Sequence, residues 1–137
     1  MMYSQRGAAQ YRAVRSHGLV ADASPARLVQ IMFERILSEL ATAEICMGRI
    51  QNNLPLGEVI AKGKSMGKAI ALINQLNTTL DMERGGQVAQ NLRALYLYML
   101  ERLTLANITN DPRIVAESAS LVRKIKDGWD RIVTDAR

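Results

Sequence analysis

The stretch SPARLVQIMFERILSELATAEICMGRI, residues 24–50, decides the fold. Ser24 is suited to accept from a free N–H at a helix start, and Pro25 fits the first helical position, where no intrahelical donor is needed. Behind them Val29, Phe33, Ile36, Leu40, Ala43, Met47 and Ile50 recur at spacings of 4, 3, 4, 3, 4 and 3, an unbroken apolar seam of helical period. Cys46 lies beside that seam and reads as a small buried hydrophobe. Asn52-Asn53-Leu54-Pro55 then closes the helix.

The same pattern recurs downstream. A second seam runs Val59, Gly63, Met66, Ile70, Ile73, Asn77, Leu80. Gly63 and Gly67 each cost about 1 kcal/mol relative to Ala in a helix interior, a cost that close helix–helix approach would offset. Asn77, the polar member of the seam, is suited to fixing helix register. Gly85-Gly86 breaks the chain, and a third helix follows through Val88, Leu92, Tyr96, Met99, Leu103 and Ala106. Asn110-Asp111-Pro112 ends it and starts the next, with Asp111 as cap and Pro112 at the first helical position. The last helix carries two adjacent seams: Ile114, Ser118, Leu121, Ile125 beside Val115, Ala119, Val122, Trp129, Val133. Four helices of roughly 22–27 residues, about 33–40 Å long, joined by short connectors predict an all-α, antiparallel up-and-down four-helix bundle. The bundle is expected over residues 23–137. Residues 1–22, punctuated by Gly7 and Gly18, read as a short, partly ordered N-terminal arm that docks on the body or frays.

Composition agrees with one such domain. The chain has 137 residues, 48% hydrophobic and 23% charged, enough to bury a core. Aromatic residues are 4%, so the apolar mass is aliphatic and favours helices packed on helices. One Cys and one His (His17) leave almost no material for a zinc site or a Cys–His nucleophile. Neither a GxxxxGK[ST] nor a GxGxxG loop occurs. A metal or a phosphate-cradling cofactor has no support in these residues, carboxylate-only or Arg-based chemistry stays open without a signature, and the sequence points to binding. No apolar run approaches the ~20 residues that span a bilayer, and no secretory signal precedes the body. A lone cysteine fits a reducing cytoplasm. The net charge is +5, but the cations are dispersed: Lys62 and Lys64 fall about 200° apart on a helix. They read as a solvated face rather than a nucleic-acid footprint.

The third helix carries more apolar surface than a bundle core uses. Tyr96-Leu97-Tyr98-Met99-Leu100 encircles the helix, and Leu92, Leu95, Leu103 and Leu105 add to it. The first helix has a similar surplus in Leu28, Ile31, Met32 and Leu37. Such residues are covered by the arm, scatter singly over the surface, or line a groove for a partner's apolar helix. Seven Met residues suit an adaptable surface as well as core filling.

Several separated motifs together resemble the flagellin export chaperone family, FliS. They are Tyr11 in the arm, Ala23-Ser24-Pro25-x-x-Leu28, Leu80-Asp81-x-Glu83-x-Gly85-Gly86, Asn91-Leu92-x-x-Leu95-Tyr96-x-Tyr98-Met99, Leu105-Ala106-Asn107, and Trp129. The similarity runs from about Tyr11 to Ile132. Ala26 stands where the family often has His, and Leu97 replaces a frequent acidic residue between the tyrosines. The resemblance implies an ATP-independent cytoplasmic chaperone that binds the disordered C-terminal segment of flagellin. It would prevent premature polymerisation and deliver the client to the export gate protein FlhA, with regulatory proteins as further partners. It implies no nucleic acid and no membrane insertion. On that basis Leu28, Ile31, Met32, Leu92, Leu95, Tyr96 and Met99 are expected to supply an apolar track, with the core as the alternative place for Tyr96 and Met99. Asn91 and Asn107 would meet client backbone, and Tyr11 would plug the empty groove or engage the export gate. The residues by themselves leave open a regulator-binding or nucleic-acid-binding helical bundle. An all-helical enzyme of the chorismate-mutase kind is disfavoured by seams that are apolar end to end.

Overall fold

The computed structural model describes residues 24–51 and 56–135. They form four helices: α1 (Pro25–Ile50), α2 (Leu56–Thr78), α3 (Gly86–Thr109) and α4 (Pro112–Asp135). The starts of α1 and α4 are set by the expected residues, whereas Asn52-Asn53-Leu54-Pro55, expected to close α1, lie outside the described residues. Ser24 Oγ accepts from Arg27 N at 3.2 Å at the head of α1, and Asp111 Oδ1 accepts from Arg113 N at 3.0 Å at the head of α4. Before α3, Asp81 Oδ1 accepts from Glu83 N and Arg84 N at 3.2 and 3.0 Å, tying a tight turn. Gly86 follows at φ +56°, which glycine adopts without strain. The left-handed residue at the end of α3 is Asn110, at φ 54° and ψ 46°.

α1 packs against α2 and α4, and α3 packs against the same two, so the helices stand in chain order around one core. This is the antiparallel four-helix bundle the seams imply. The α1 seam is placed as read: Val29, Phe33, Ile36, Leu40, Ala43 and Met47 are all buried. On α4, Ile114, Val115, Ser118, Ala119 and Val122 face inward. Cys46 is buried too, and that burial pushes its thiol pKa up.

The α2 seam buries Met66, Ile73 and Leu80 as expected but departs from its expected phase in the first turns. The helix's buried residues are Lys62, Ser65, Met66, Ala69, Ile73 and Leu76, while Val59 and Gly63 are exposed. The reason is Lys62, expected on the solvated surface. Its ammonium donates to the Asn107 carbonyl at 2.9 Å and to Asn110 Oδ1 at 2.7 Å. Those oxygens lie at the α3 terminus, where a cation also meets the negative end of the helix dipole. The expected tight packing at Gly63 and Gly67 is likewise corrected: a Cβ at either position would meet nothing within 4 Å. Asn77 is half-buried, and its Oδ1 has no hydrogen-bond partner among the described residues.

At the other end of the bundle, α4 is fastened to the start of α1. Trp129 Nε1 donates to the Ala26 carbonyl at 2.9 Å, and Gln30 Nε2 donates to Asp130 Oδ1 at 2.8 Å. Lys126 Nζ donates to Asp130 Oδ2 at 2.6 Å. The Lys126 hydrogen bond, with that from Gln30, holds the Asp130 carboxyl below the usual carboxylate range against the opposing effect of desolvation. Residues 1–22, including Tyr11 and His17, lie outside the described residues.

Two outcomes follow from these fastenings. Ser24→Ala should lower unfolding free energy by about 1 kcal/mol in a urea titration, the usual cost of a lost N-cap. Because the Asp130 pKa is lowered on folding, its contribution is complete above the unfolded value near 4 and fades as pH falls through the lower folded value. Asp130→Asn should therefore be less stable than the parent at pH 7, with the gap closing in urea titrations taken below about pH 3.

Candidate functional site

Among the described residues, the face left open lies between the first half of α3 and the second half of α4. There the inward position of α3 falls on Ala89, which is buried, rather than on Val88, which is 56% exposed. Val88, Leu92 and Tyr96 follow one another at i, i+4, i+8 along one wall of a pocket of about 210 Å³. Ile125, Trp129 and Ile132 form the facing wall, and Phe33 of α1 lies beneath. Gly128 keeps that wall low: a Cβ there would meet nothing within 4 Å. Lys124 is the charged residue of the lining. Farther along the same seam, Tyr98 Oη donates to Glu117 Oε1 at 2.5 Å and Arg102 lies 3.8 Å from Glu117 Oε2. The hydrogen bond to Glu117 raises the Tyr98 hydroxyl pKa.

A second apolar strip follows α2 and α3. At ~100° per residue, Leu56, Val59, Ile60, Gly63 and Gly67 share one flank of α2. Glu58 and Lys68, which pair with Arg49 and Glu39 of α1, lie on the opposite flank, so the apolar one faces α3. Leu97 and Ile108 lie on the side of α3 away from the Glu117 contacts, and thus toward α2. Leu56 is 72% and Ile108 75% exposed.

The expected site residues divide sharply. Leu28, Met32, Tyr96 and Met99 are buried in the central cluster, so they cannot form a solvent-facing track. Their side chains complete the core, and Tyr96 reaches the pocket from within it. The α1 surplus is thus consumed by packing; Ile31 and Leu37 are half-buried. Leu92 lines the pocket and Leu95 is half-buried nearby on α3. Asn91 is exposed and accepts from Gln87 Nε2 at 2.8 Å. Asn107 is half-buried, its carbonyl is held by Lys62, and its Oδ1 is buried without a partner among the described residues. Tyr11 lies outside the described residues. The sequence reading missed the α4 wall entirely. Its signal was Gly128 beside Trp129, a small residue next to a large one at the end of an apolar seam.

No described helix is long and apolar enough to cross a membrane. A family model described as flagellar protein FliS matches residues 7–136. The flagellar secretion chaperone FliSB of Pseudomonas aeruginosa is 40% identical over 131 residues, covering 96% of this chain and 98% of that protein. The flagellar secretion chaperone FliS of Salmonella typhimurium is 36% identical, covering 96% and 93%. Its Escherichia coli counterpart is 40% identical, covering 93% and 90%. Relatives that match from end to end, together with a four-helix bundle in the order the motifs imply, make this chain a member of the FliS family of flagellar proteins, a chaperone family.

Proposed function

We propose that this protein is an ATP-independent chaperone of flagellar export that captures the disordered C-terminal segment of flagellin. The observation that carries this reading is the α3–α4 pocket, an apolar recess left open on a bundle whose own core is already filled. A free flagellin end can fold as an amphipathic helix only against such a surface. Coupled folding of this kind buries about 1,000–3,000 Å² and gives back a few kcal/mol to ordering. The pocket would take the anchoring side chains, and the α2–α3 strip would extend the contact around the bundle. Holding the client's polymerising end in this way blocks premature assembly until the complex reaches FlhA at the export gate. The work is done in the cytoplasm, with no bond made or broken. Tyr11 and the arm would shield the recess when no client is present, since exposed apolar surface of this kind promotes aggregation. Regulatory proteins could compete for the same recess.

The decisive variant is Val88→Asp combined with Ile132→Asp, both at exposed positions on the rim. Far-ultraviolet circular dichroism should be unchanged. Affinity for the flagellin C-terminal segment, measured by calorimetry, should fall by about 2 kcal/mol or more, roughly 30-fold, because a docked apolar chain would bury unpaired carboxylates. Undiminished binding would refute the reading. Binding of that segment should change little between low and high salt, whereas capture of a nucleic acid by the same protein would weaken steeply with salt. Deleting residues 1–17 should speed client association and uncover dye-accessible apolar surface; no change in either would eliminate the shielding role.

A further inference from the structure

The α3–α4 pocket carries more chemical information than its apolarity. Its lining contains one residue that carries a charge, Lys124, which is itself exposed, so its ammonium is free to reach the mouth of the recess. The other cations of this stretch of α4 do not line it, and Lys126 is already committed to Asp130 at 2.6 Å on the α1 side. No carboxylate of the described residues pairs with Lys124, whereas Glu117 on the same helix is engaged by Tyr98 and Arg102.

The position of Lys124 along the groove matters. The α4 wall runs from Lys124 to Ile132, about 12 Å of helix. Ile132 and Val88 stand at the end of the bundle, where α4 finishes and α3 begins, and both are more than half exposed. Beyond Lys124 in the other direction, the Tyr98–Glu117 hydrogen bond ties α3 to α4 about two turns away. Among the described residues the recess is open at the bundle end, and past Lys124 the Tyr98–Glu117 hydrogen bond bridges its two walls. A cavity of 150 Å³ admits benzene, so about 210 Å³ has room for roughly two aliphatic side chains.

We infer that this pocket receives the very end of the client chain, with its last apolar side chains between Leu92 and Trp129 and its terminal carboxylate against Lys124 Nζ. A carboxylate brought against apolar walls loses water and needs a cation, and Lys124 is the one the lining supplies. A chain running inward from the open end would meet the Tyr98–Glu117 tie, which favours a terminus over a through-running segment. The inference rests on the proposed capture of a flagellin C-terminal segment and adds the recognition of its free end.

The test uses the full chain and two synthetic peptides of the C-terminal flagellin segment, identical except that one ends in a free carboxylate and the other in an amide. The acid should bind roughly five- to tenfold more tightly than the amide, between the upper end for an exposed ion pair and the lower end for a charged hydrogen bond. That difference should vanish in Lys124→Ala, return in Lys124→Arg, and persist in Lys64→Ala, a control on the exposed face of α2. Equal binding of acid and amide to the parent protein would overturn the inference while leaving flagellin capture intact. Sensitivity to Lys124→Ala without sensitivity to amidation would also overturn it, assigning the lysine to an acidic side chain. Failure of both peptides to bind would overturn the inference and the proposed function together.

Discussion

A helix in a four-helix bundle can turn only part of its circumference toward its partners, and α3 is apolar over far more than that part. The apolar surface left outside the core descends from that mismatch. Tyr96, Met99, Leu103 and Ala106 fill the inward sector and complete the core. Val88, Leu97, Tyr98, Leu105 and Ile108 are left facing out. In a chain selected only to fold, such residues would be a liability. Here Val88 lines the α3–α4 recess, while Leu97 and Ile108 lie toward α2 on the exposed strip.

Lys62 sets the phase of this arrangement from the neighbouring helix. By taking an inward position and satisfying the Asn107 and Asn110 oxygens, it closes the end of α3 and rotates the apolar flank of α2 into view. A lysine can do this because its long aliphatic stem tolerates burial while its ammonium finds oxygen acceptors. The same contact joins the start of α2 to the α3–α4 turn. Thus a single polar anchor helps position one of the two apolar strips.

The legibility of the sequence followed the physics of each element. α1 and α4 were readable almost residue by residue, because their seams run unbroken and their caps are the ordinary ones. Along the α2 seam, Met66, Ile73 and Leu80 were read correctly and the first turns were not: a periodicity built on hydrophobic residues cannot see an inward lysine, and the apolar pattern continued plausibly through Val59 and Gly63. The first turns of α3 were misread for the converse reason: Val88 fits the apolar pattern better than Ala89, yet Ala89 is the buried one. On α1, Leu28 and Met32 looked spare only because the width of the buried sector was underestimated. The pocket was half legible. Leu92 and Tyr96 belonged to a recognisable motif, but the facing wall depends on how two helices approach, which no single-helix period contains.

Trp129 links these levels. Its indole is fastened to the α1 backbone through Ala26 while one side borders the α3–α4 recess. The chain contains one tryptophan, so its near-ultraviolet emission comes from that boundary without contribution from a second indole. Any chain settling into the recess would strip water from the ring and shift its colour toward the blue. The molecule therefore carries its own optical gauge of occupancy, readable without a label.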